Sequence, residues 1–60
     1  MLTTKITYAL AEWINDWKKE YGSNPTIQDC IKYVEWKVGE YNLTENDKNL
    51  IETIFIYNKD

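Results

Sequence analysis

The sequence predicts an all-α fold, a compact three-helix bundle, and three observations carry that expectation. Apolar residues recur at spacings of three and four along three segments. Gly22 and the sole proline, Pro25, punctuate the first junction, and a threonine followed by acidic residues opens the second and third segments. Helices are expected over about 4–21, 26–41 and 44–57, joined by turns short enough to favour an up-down-up course. With 60 residues there is room for one domain, spanning 1–60, and for a small core only.

In the first helix Ile6, Leu10, Trp13, Ile14, Trp17 and Tyr21 fall within one stripe. Lys18 and Lys19 complement the dipole of its last turn, and Gly22 suits a left-handed cap. Ser23-Asn24-Pro25 then turns the chain, since proline disfavours helical geometry in the residue before it. Thr26-Ile27-Gln28-Asp29 reads as a capping-box variant, and the second helix carries Ile27, Cys30, Ile31, Val34, Val38 and Tyr41 on its inner stripe. Gly39 weakens its last turn. Thr44-Glu45-Asn46-Asp47 repeats the cap logic for a third helix with Leu50, Ile51, Ile54 and Tyr57 on its stripe. Thr53 to Tyr57 is a run of β-forming residues, but an isolated strand there has nothing to pair with, so helix is expected to continue. The expected core is Ile6, Leu10, Trp13, Trp17, Ile31, Val34, Val38, Leu50 and Ile54.

Composition narrows function chiefly by exclusion. At 43% hydrophobic and 28% charged the chain is globular in character. Histidine is absent and Cys30 is the only cysteine, so neither an intrachain disulfide nor the usual zinc frameworks are expected; no metal and no cofactor are anticipated. Cys30 lies on a core stripe without a base to activate it, and Ser23 is alone in a turn, so nucleophilic catalysis is not expected and the chain reads as a non-enzyme. The net charge is −3 and all seven basic residues are lysines, which disfavours nucleic acid. No apolar run suits an export signal or a membrane span, so the expected location is cytoplasmic, and no small-molecule ligand is expected. Asn42-Leu43-Thr44 matches a glycosylation acceptor, a short pattern that arises by chance in a cytoplasmic chain.

The surface left over after a core is assigned holds the functional signal. Glu12, Asp16 and Glu20 stand at i, i+4 and i+8 as an acidic ridge beside the stripe of the first helix. A solvated charged face is the bland account of that ridge; a binding surface for a basic partner is the sharper one. Three tryptophans and five tyrosines exceed what one small core holds. Trp36 points away from the inner stripe of the second helix with Tyr33 on its flank, Tyr8 lies opposite the core on the first helix, and Phe55 and Ile56 fall outside the stripe of the third. The bland account buries Trp36 against a neighbour or under lysine stems. The sharper one makes Trp36 and Tyr33, with Tyr8 or Phe55 nearby, a patch that docks another protein or a second copy of the chain. On this reading the chain is a small non-enzymatic protein-protein interaction module that regulates or adapts a partner, and its size suits a phage or mobile-element regulator.

Trp13-Ile14 followed by Tyr21-Gly22-Ser23-Asn24-Pro25-Thr26-Ile27 resembles the opening of winged-helix repressors of the LexA type, in which a helix, a glycine-containing turn and a Pro-Thr cap lead into a second helix. The resemblance covers about a quarter of the chain and implies the alternative function, a DNA-binding transcriptional regulator of helix-turn-helix type. The sequence departs from that pattern beyond Ile27, because no turn signal interrupts Ile27 to Val38 and no basic recognition helix follows.

Overall fold

A computed structural model describes residues 2–39 and 42–60. It contains three helices, α1 (Thr4–Tyr21), α2 (Ile27–Val38) and α3 (Glu45–Asn58), and no strand among the described residues. The Cα radius of gyration, 10.7 Å, is close to the roughly 10 Å expected for a compact chain of this length. The β-forming run near the third helix's end is helical throughout, as expected.

Each helix starts on a threonine whose side chain accepts from a backbone N–H three residues on. Thr3 accepts from Ile6, Thr26 from Asp29 and Thr44 from Asp47. In α2 and α3 the aspartate completes the exchange, accepting from the N–H of Thr26 and Thr44 at 3.1 Å each. These boxes hold both carboxyls below their ordinary value of 3.8, and the N–H of the capping threonine is the largest cause in each.

The helix ends differ. α1 stops at Gly22, left-handed at φ 70, ψ 13. α2 ends at Val38, short of the expected Tyr41, because Gly39 adopts φ 95, ψ 137, a region closed to residues with a Cβ. Glu40 and Tyr41 lie outside the described residues. The Asn42 amide donates to the Val38 carbonyl and closes that end. α3 has no basic residue in its last turn, and Lys18 of α1 supplies the cation instead, donating to the Asn58 carbonyl and pairing with Asp60 at 3.2 Å.

Those contacts also fix direction. The Leu2 N–H donates to Asp47 at the start of α1 and α3, and Lys18 meets Asn58 at their ends, so the two helices run parallel. Asn24, just before α2, bonds Asp60, just after α3, so α2 starts where they end and runs antiparallel to both. This is the up-down-up course.

Leu10, Ile14, Cys30, Val34 and Ile51 are fully buried at the centre. Ile6, Trp13, Ile31, Val38 and Ile54 pack against them, half-buried. Trp17, expected in the core, lies half-buried on the flank of α1. Leu50, also expected inside, is 40% exposed, and Tyr57 of the same stripe is 84% exposed. The reason lies in polar residues that face inward. Asp47 is buried by its cap and by Leu2, and Asn58 is held by Asn15 at 3.2 Å, so the inner face of α3 runs through Asp47, Ile51, Phe55 and Asn58. Phe55, expected outside the stripe, therefore packs against the core. An apolar stripe read from sequence could not include two polar members.

Candidate functional site

α1 and α2 meet along an aromatic seam. Trp13 and Tyr33 stack with centroids 4.8 Å apart and planes inclined by 17°. From Trp13 the chain of rings continues along α1 to Trp17 at 5.3 Å and to Tyr21 at 4.6 Å from Trp17; from Tyr33 it continues along α2 to Trp36 at 6.2 Å. The spacings fall in the favourable range for offset or tilted pairs. On α1 they follow from helix geometry, since residues 13, 17 and 21 are successive i, i+4 neighbours.

The outer end of this chain is open. Trp36 is 76% exposed, so among the described residues no neighbour buries it, although Tyr33 and Lys37 lie against it. The Lys37 ammonium lies 4.8 Å from the Trp36 ring centroid and 5.7 Å from that of Tyr33, so part of this surface already holds a cation. Tyr33 itself is half-buried, and its phenol pKa is raised, first by burial and then by the charge of Glu12.

Beside the stack lies a shallow groove of about 260 Å³, lined by Ala9, Glu12, Trp13, Asp16 and Tyr33. Two carboxylates thus border two stacked rings, and among the described residues no basic side chain lines the groove. Among the described residues neither Glu12 nor Asp16 has an ion-pair partner.

The residues singled out by sequence divide between this site and elsewhere. Tyr33, Glu12 and Asp16 line the groove together, and Trp36 joins them only through its ring contact with Tyr33. Glu20 is exposed farther along the acidic ridge and does not line the groove. Tyr8 is 73% exposed one turn before Glu12, with no ring contact to Trp36 among the described residues. Ile56 is exposed on α3, and Phe55 faces the core, with the Lys59 ammonium 6.0 Å from its ring.

Trp13 is the member that sequence reasoning assigned elsewhere. Its large ring suited the core, and it does touch the core, yet it also lines the groove. A signal was present: Glu12-Trp13, Asp16-Trp17 and Glu20-Tyr21 repeat an acid-aromatic pair every four residues. That spacing lays a carboxylate ridge alongside a ring ridge, about 100° apart on the helix.

Cys30 offers no chemistry to this surface. Burial and, secondarily, the nearby Asp29 charge push its thiol up to about 11, so it stays protonated at neutral pH. No group of three metal-ligating side chains occurs among the described residues, and none of the described helices is long and apolar enough to cross a membrane.

The chain matches no known family model, and no characterised protein or solved structure shows significant similarity to it.

Proposed function

We propose that the protein is a cytoplasmic, non-enzymatic interaction module that regulates or adapts a partner protein by docking it on the α1–α2 face. The observation that carries this reading is the exposure of Trp36 at the end of a stacked ring chain. Tryptophan has only two side-chain torsions to order on binding and is among the residue types enriched at binding hot spots. The Trp13–Tyr33 stack next to it extends the ring surface. The carboxylates of Glu12 and Asp16, which border that stack and have no ion-pair partner among the described residues, supply charge selectivity.

Affinity capture with the wild-type chain and with Trp36→Ala, both checked for helicity and melting temperature, tests the proposal. Retention of a specific protein that falls at least about 30-fold in affinity for the folded variant is expected. Equal retention by both forms overturns the assignment of the site, and a wild-type chain that retains no protein overturns the function.

A further inference from the structure

Resting on the interaction reading, we infer that the groove between α1 and α2 receives an arginine side chain from a basic segment of the partner. Three features converge there. The groove joins two carboxylates, Glu12 and Asp16, to the Trp13–Tyr33 stack, so a long cationic side chain finds ring surface for its stem and negative charge for its head. The carboxylates have no ion-pair partner among the described residues, so a guest displaces none. Lys37 shows the cation–ring part of this chemistry intramolecularly, its ammonium lying 4.8 Å from the centroid of Trp36 and 5.7 Å from that of Tyr33, the groove ring on its own helix.

The Tyr33 phenol pKa is raised first by burial and second by the Glu12 charge, and the second cause fits a carboxylate standing near that ring. Lys37 lies over the Tyr33 ring from α2 and does not line the groove, whose charged lining among the described residues is Glu12 and Asp16. Arginine fits better than lysine. Its planar guanidinium stacks on a ring face and donates as a fork to a carboxylate, whereas an ammonium is a compact and more strongly hydrated charge. An acidic segment meets like charge at the groove and is rejected.

Titration of the full ¹⁵N-labelled chain with acetylated hexa-arginine, followed by NMR, tests the inference. The Trp13 indole N–H and the amides of Glu12 and Asp16 are expected to shift first, and hexaglutamate to leave them unmoved. The double variant Glu12→Gln/Asp16→Asn should weaken the peptide roughly fivefold or more without changing the melting temperature appreciably. Glu45→Gln/Glu52→Gln removes the same amount of charge from exposed positions on α3 and should leave affinity unchanged. Equal weakening by both double variants, or shifts spread along α3, means diffuse attraction and overturns the groove assignment. Hexalysine binding as tightly as hexa-arginine overturns the preference for arginine. Partner capture that depends on Trp36 while hexa-arginine leaves Trp13 unmoved keeps the interaction module and rejects the basic guest.

Discussion

The seam between α1 and α2 and the seams that hold α3 use different physics. The first is a stack of rings, Trp13 on Tyr33, extended by Trp17 and Trp36. α3 adds Ile51, Ile54 and Phe55 to the core, but at both ends it is tied by polar groups: Asp47 to the Leu2 N–H, Asn58 to Asn15, Lys18 to Asn58 and Asp60. Rings exceed the area that two thin helices can cover, so the aromatic seam spills to the surface and forms a site. Polar ties are geometrically specific and leave no such surplus. Large exposed side chains do occur on α3, at Leu50, Ile56 and Tyr57, yet among the described residues no ring contact organises them.

The contrast is open to direct attack. Trp13→Ala removes a half-buried ring with two ring partners, and a loss of about 2–3 kcal/mol in denaturant unfolding is expected, a large part of the stability of so small a domain. A loss under 1 kcal/mol would mean that the stack is surface decoration. Thr44→Ala removes the cap of α3 and should cost about 1 kcal/mol, with hydrogen exchange rising at Asp47 more than at Cys30. Uniform acceleration would show that α3 is no more separable than α2.

Acid separates the seams more finely. The Asp47 carboxyl is lowered by the Thr44 N–H foremost and by the Leu2 N–H as well, so its contribution is present above 3.8 and is lost as pH falls through the depressed folded value. Asp29 behaves alike but has no such tie to another helix. Acid titration followed by NMR should therefore release Leu2 from α3 while the Trp13 indole resonance stays in place; Asp47→Asn should flatten that response. The smallest effect belongs to Tyr57→Ala, expected within about 0.5 kcal/mol of wild type and without influence on partner capture. A loss of capture there would move the site to α3.

Much of the fold was legible because it rests on local signals. α1 begins and ends where its stripe and Gly22 place it, and the threonine caps of α2 and α3 are where Thr26 and Thr44 announce them. The inner face of α3 was not legible, since Asp47 and Asn58 turn inward to meet Leu2 and Asn15, partners 45 and 43 residues away. Hydrophobic periodicity cannot see a polar group whose burial depends on a distant donor. The site was half legible for a related reason. Trp36 and Tyr33 stood out as aromatics off a stripe, whereas Trp13 served core and groove at once, and a one-face reading of the helix admits only one of these roles.

Lys18 gives the ties around α3 a further meaning. Ordinarily the last turn of a helix frays, because its carbonyls lack partners of their own. Here the ammonium that quiets the end of α3 is anchored in α1, and Asp60 beyond it exchanges two bonds with Asn24 in the α1–α2 turn. Loosening the end of α3 therefore strips partners from α1 and from the turn that launches α2. In so short a chain a disturbance that begins at the end of α3 is thus passed to the start of α2, whereas the Thr44 cap at the opposite end of α3 can be lost locally.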